Sequence, residues 1–204
     1  MPRDKTLSHE RVNAAIREEF LEKGYDGASV RSIGARAGMT SAGLYRHYPD
    51  KAAMFDAVIE PLTNSIESWL ELHKKKSLES VDGQLSGDIF GETFVDLIKD
   101  VILPKREEFK LLISCSAGTK YENYINDFVI ENQKDMMKMF VRLRSEGYKV
   151  RDITEEELHI LLSAYLTACF EPIIHGHDDE EVLRQLNTIR DFFLPGWQKN
   201  MGFT

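Results

Sequence analysis

The residues best suited to chemistry lie together in the stretch 29–51. Ser29, Arg31, Thr40, Ser41, Tyr45, Arg46, His47 and Lys51 supply hydroxyl, guanidinium, imidazole and ammonium groups, all able to donate to phosphate oxygens. Arg31 and Arg46 can also grip the O6 and N7 edge of a guanine with two parallel hydrogen bonds. Between them stand Ala42 and Gly43. Such small side chains let a backbone come close to a groove floor, and an alanine methyl can touch a thymine methyl. The chemistry that this set suggests is recognition of a charged, edge-patterned polymer.

A catalytic reading finds less. Scattered Ser, His and Asp are linked by no motif, and no glycine-rich phosphate loop is present. His175-Gly176-His177-Asp178-Asp179 invites a metal, but such sites need three or four converging ligands. The simpler reading is a turn between helices, capped by Asp178 or Asp179. Cys115 and Cys169 are too few for a disulfide framework and read as small buried residues. The sequence implies no cofactor, no metal and no enzyme.

The elements that must position the donors are two short helices. Val30, Ile33 and Ala37 make one apolar helix face, with Ser29 as N-cap and Gly38 as its end. Thr40 caps a second helix carrying Leu44 and Tyr45, which Pro49 stops. Asp50 can cap the next helix at Lys51. Two helices across a glycine-containing turn make a helix-turn-helix, whose second helix enters the major groove with its N-terminal residues toward the bases.

The order GMTSAGLYRHYPDK over 38–51 resembles the recognition-helix signature of the TetR family of transcriptional regulators. Gly24-Tyr25, Ser29 and Ile33 also fall where that family places its glycine-aromatic pair, the residue opening helix two, and a core apolar residue. The resemblance covers roughly residues 8–60. Met39 and Tyr48 depart from it, where valine or isoleucine and phenylalanine are usual. It implies that Ser29, Tyr45, His47 and Lys51 hold the DNA backbone. Tyr48 reads as core. The resemblance also implies a homodimer through the last two helices, on double-stranded palindromic DNA, and a small-molecule effector that shifts the two heads and releases it. The sequence leaves open the effector, the operator, and repression against activation.

With 204 residues, 42% of them apolar, the chain can build a sizeable core. No run of about 18 apolar residues suggests a membrane span, and the N-terminus lacks a hydrophobic signal region. A cytoplasmic protein is expected. The net charge of −8 is unevenly spread: residues 1–51 carry +2 and the remainder −10. DNA affinity depends on the surface that meets phosphates rather than on the whole chain, so the acidic body does not exclude it.

Taken in order, the sequence predicts an all-α protein of about nine helices: a DNA-binding head over 1–52, and a ligand-binding and dimerisation body over 53–204. Residues 1–7 read as a loose arm, and the first helix as 8–23 with Val12, Ala15, Ile16 and Phe20 inward. The fourth helix should run over 51–75 and bend at Pro61, which lacks an amide proton. The tract 77–87 reads as a loop. Thr154 and Glu157 predict a capping box opening the eighth helix. Phe90, Phe94, Cys115, Tyr121, Met136, Met139, Tyr165 and Phe170 are candidates to line an effector pocket, with plain core packing as the simpler reading of each. A helical enzyme or interaction module that merely carries a helix-turn-helix shape is the alternative class. Tyr45, His47 and Lys51 discriminate, because a structural hairpin has no reason to expose that donor set on one side.

Overall fold

The structure is a computed structural model that describes residues 5–79 and 92–201. Among the described residues it is all helical. The helices are α1 (Lys5–Gly27), α2 (Val30–Ala37), α3 (Ser41–Leu44), α4 (Lys51–Glu79), α5 (Glu92–Leu97), α6 (Arg106–Ser114), α7 (Tyr124–Ser145), α8 (Glu155–Ile174) and α9 (Asp179–Met201). Phe90 and the tract beyond residue 79 lie outside the described residues.

Several boundaries differ from expectation. α1 begins at Lys5, three residues earlier than the sequence predicts, and breaks at Gly24 (φ 67°). α4 continues to Glu79 and remains helical through Pro61. α3 is a single turn: after Leu44 the chain tightens, with the amides of His47 and Tyr48 both donating to the Leu44 carbonyl. α5 passes into a π turn, Ile98–Ile102, and a 3-10 turn, Leu103–Lys105, that accommodate Pro104. The capping box is present as predicted: the Thr154 hydroxyl accepts from the Glu157 amide while Glu157 accepts from the Thr154 amide.

The chain forms two compact units. The first comprises Met1–Glu67 and Lys105–Tyr124. It therefore holds α1 to α3, the first part of α4, and α6 with the turn after it. Its core joins Ile16, Phe20, Ile33, Leu44, Phe55 and Phe109, all fully buried or nearly so. Phe55 is its centre, with ring centroids 5.0 Å from Phe20, 5.4 Å from Tyr25 and 6.0 Å from Tyr121. Tyr48 is buried here as well, and its hydroxyl donates to Asn13.

The second unit comprises Ser68–Pro104 and Ile125–Thr204. Its buried side chains come from α5 and the turns after it, α7, α8 with Ile153 before it, and α9, among them Leu97, Phe140, Leu158, Tyr165, Phe170 and Val182. The buried polar residues Glu19, Thr63 and Ser116 all belong to the first unit. α8 is long and apolar enough to cross a membrane by length and composition, a feature that the sequence reading does not anticipate. Eight of its residues are buried in the second unit, including Leu162, Leu166, Cys169 and Ile173, which is the pattern of a core helix.

Candidate nucleic-acid interface

Each short helix of the head is fixed at both ends. The Ser29 hydroxyl accepts from the Ser32 amide at 3.1 Å and caps α2. At the other end Gly38 takes a left-handed conformation (φ 65°) that glycine adopts without strain. The Met39 amide then reaches the Gly34 carbonyl at 2.8 Å, a Schellman closure. Gly34 is required for a second reason: a Cβ there would sit 2.8 Å from the Met39 carbonyl oxygen. The Thr40 hydroxyl accepts from the Gly43 amide at 3.0 Å and caps α3. Asp50 likewise accepts from the Ala53 amide and caps α4.

Ile33, Ala37 and Leu44 bury the inner face of this hairpin. The outer face presents Ser29, Arg31, Thr40, Ala42, Tyr45, Arg46 and His47, all exposed, with Ser41 and Gly43 half-buried beside them. Tyr45 is 51% exposed, large for an aromatic side chain without a solvent-side task. Capping does not remove Ser29 or Thr40 from this set. Each hydroxyl caps through a lone pair and keeps its O–H proton to donate.

Lys51 has partners within the head. Its ammonium donates to the carbonyls of Tyr25 at 2.7 Å and of Asp26 and Ala28 at 3.4 Å. It also lies 4.4 Å from the centre of the Tyr25 ring. Three N–H donors meet three carbonyls, so the side chain fastens the connector between α1 and α2.

Glu19 is a residue that the sequence reading missed. It is buried, and accepts from the Ser29 amide at 3.3 Å, the Ser32 hydroxyl at 2.7 Å and Arg36 Nε at 3.0 Å. Burial alone would raise its pKa. The bonds from Ser32, the Ser29 amide and Arg36 outweigh that and hold it below the usual carboxylate value. A signal was available: Glu19 lies three residues after Ile16 and four after Ala15, on the apolar stripe of α1. A carboxylate there calls for buried partners.

α6 and the turn after it pack on the head within the first unit. Arg17 of α1 pairs with Glu108 and, at 3.6 Å, with Glu107. The Tyr25 amide donates to the Cys115 carbonyl. Lys120 bridges Asp56 at 2.9 Å and Glu60 at 3.0 Å on α4, and those carboxylates push its pKa up. Lys105 donates to the Pro61 carbonyl and the Ser65 hydroxyl.

The candidate effector residues divide accordingly. Cys115 and Tyr121 lie in the first unit, Cys115 at the end of α6 and Tyr121 buried beside Phe55. In the second unit Phe94 stacks near Tyr165 (5.5 Å) and Phe170 (5.9 Å), with Met136 buried and Met139 half-buried. Burial pushes the Tyr165 hydroxyl up and the Cys169 thiol up to about 12, so both are neutral. His175 and Asp178 form the turn expected between α8 and α9. His175 ends α8 and meets Glu171 at 2.8 Å, and Asp178 accepts from the Glu181 amide.

Comparison with known proteins agrees with this geometry. The family model described as "Bacterial regulatory proteins, tetR family" matches residues 13–58, the helix-turn-helix with its flanking helices. A curated relative, the "Uncharacterized HTH-type transcriptional regulator YvdT" of Bacillus subtilis (strain 168), is 27% identical over 119 residues. That match covers 58% of this chain and 56% of the relative, so the chain matches about half the relative's length. Among solved structures, the TetR family transcriptional regulator PfmR from Thermus thermophilus is 15% identical with a TM-score of 0.62. The superposition covers 91% of this chain and 97% of PfmR. NalD, the secondary repressor of the MexAB-OprM multidrug efflux pump in Pseudomonas aeruginosa, is 21% identical with a TM-score of 0.57, covering 97% of both chains. At these identities the likeness concerns the fold. The head thus matches the model of the tetR family of bacterial regulatory proteins over residues 13–58, and the chain is similar in fold to TetR family regulators over nine-tenths of its length.

Proposed function

We propose that this protein is an effector-responsive repressor that binds a palindromic operator as a homodimer, with α3 of each protomer in the major groove. The observation that carries the reading is the exposed donor face of a hairpin that is capped at every end. Ser29, Arg31, Thr40, Tyr45, Arg46 and His47 all face outward from it. Within that face Ser41, Ala42 and Gly43 stand at the N-terminus of α3, where base edges are met. Arg31 and Arg46 read guanines. Ser29, Thr40, Tyr45 and His47 hold phosphates, and Lys51 holds the connector behind them.

One α3 reads few base pairs, so useful specificity requires two heads on half-sites about 34–36 Å apart or a multiple of that spacing. Exposed apolar residues on the last two helices support a dimer there: Ile160 of α8 is 65% exposed and Phe192 of α9 is 80% exposed. The effector is received among the body helices, where Phe94, Met136, Met139, Tyr165 and Phe170 offer apolar and adaptable wall. Release requires that the effector bind the DNA-incompetent state more tightly. The repressor role is supported by NalD, which shares the fold and is itself a repressor.

The test is titration of duplex DNA with purified protein and with Arg31→Ala and Arg46→Ala. Loss of a base contact should cost about 1–3 kcal/mol and relax specificity at one position of the site. Wild-type affinity and specificity in both variants would contradict the assignment of these arginines.

A further inference from the structure

We propose that Glu19 is a positioning residue for operator binding: it clamps α2 to α1 at both ends of α2, and so fixes the pose in which the helix-turn-helix meets DNA. The proposal rests on the reading of the head as a DNA-binding module.

The partners of Glu19 are spread along α2. Glu19 Oε1 accepts from the Ser29 amide, at the N-cap of α2. Glu19 Oε2 accepts from Ser32, in the first turn, and from Arg36, in the last. One carboxylate therefore grips the whole length of an eight-residue helix. Arg36 returns to α1 at two further points, pairing with Glu22 and, at 3.5 Å, with Glu18. The apolar contacts of α2 would not fix this pose alone. Its buried residues are Ile33, Gly34 and Ala37, two of them small enough to let the helix slide or roll. Directional bonds at both ends remove that freedom.

The residue type is also constrained. Both oxygens accept, and the three donors leave neither oxygen without a partner. Glutamine would keep one acceptor and remove the charge; an amide N–H turned toward Ser32 could be accepted by its rotated hydroxyl, but Arg36 only donates and would lose its partner. A consequence follows for the interface. The Ser29 amide is committed within the head, so contact with DNA at the N-terminal end of α2 falls to the Ser29 hydroxyl and to Arg31, which is exposed.

The experiment compares full-length wild type, Glu19→Gln and Arg36→Gln on a selected operator and on random duplex. Thermal melting and hydrogen exchange at the Ser29 and Ser32 amides are followed in parallel. At a temperature where all three proteins are folded, Glu19→Gln should lose roughly tenfold or more in operator affinity, the worth of one charged hydrogen bond. The salt slope should be unchanged, because no phosphate contact is removed. Affinity for random duplex should fall less, and exchange at the two amides should accelerate. Arg36→Gln keeps the first-turn bonds and should show a smaller loss of the same kind, which keeps the test decisive if Glu19→Gln does not fold. Wild-type operator affinity in a folded variant, or operator and random-duplex affinities falling in step with melting temperature, would overturn the proposal. Operator binding by wild type and both variants alike sinks only the clamp. No duplex binding by wild type sinks the DNA-binding reading and the clamp with it.

Discussion

A hydroxyl at a helix N-cap can accept and donate at once. Ser29 and Thr40 close their helices by accepting from Ser32 and Gly43, and each retains a proton to donate, for which the proposed partner is a phosphate oxygen. Lysine has no such latitude, since an ammonium only donates. Lys51 directs its three donors to the carbonyls of Tyr25, Asp26 and Ala28. Lys51→Ala should therefore act on stability first, costing about 1–2 kcal/mol for a partly buried charged group. It should leave the salt dependence of DNA binding close to wild type. Paired measurements of melting and of affinity against salt check this. A slope reduced by about one unit with unchanged melting would assign Lys51 to a phosphate instead. The caps were legible in the sequence because each joins residues three apart. The partners of Lys51 lie 23–26 positions away, and those of Glu19 lie 10–17 away. Such pairings depend on how helices pack, and local pattern does not report them.

At the scale of elements, the turn between α2 and α3 leaves no room for a side chain at Gly34. Gly38 supplies the left-handed residue, and Gly34 admits the Met39 carbonyl. Gly34→Ala would press a methyl onto backbone that cannot swing away, with an expected cost of about 1–3 kcal/mol and a weakened grip on the operator. Thermal melting and operator titration measure both effects, and a variant that melts and binds like wild type would show that the turn yields. Sequence periodicity found each helix in the head, but missed the start of α1 and the end of α3. Pro49 marks where a helix must have stopped. The chain in fact leaves the helical path at Leu44, where two amides converge on one carbonyl. Nor does periodicity say which neighbours a helix chooses. α6 reads as part of the body from its place in the chain, yet Arg17, Tyr25, Asp56 and Pro61 tie it and the turn after it to the first unit.

For the whole molecule, the proposed function needs two heads held at a fixed spacing. A self-complementary surface is the economical way to obtain that, because a two-fold axis uses one patch twice. Phe192, four-fifths exposed on α9, is the residue whose exposure a dimer would end. Phe192→Asp should weaken self-association by roughly 30-fold or more if it is an interface anchor. Operator affinity should fall with it, since a lone head reads a half-site. Sedimentation across a concentration series is the readout, and an unchanged dimer would move the interface away from Phe192. Residues 1–51 carry a net +2 and the remainder −10, a contrast that disfavours contact of DNA phosphates with the acidic part of the chain.

Selection of binding sites from random duplex DNA with the purified wild-type protein tests the central claim most directly. A dimeric operator-binding protein enriches an inverted repeat whose half-site centres are separated by about one helical turn or a multiple of it, and Arg46→Ala or Arg31→Ala loses a specific base preference. A folded, dimeric protein that enriches no sequence, with or without candidate effectors, would contradict it.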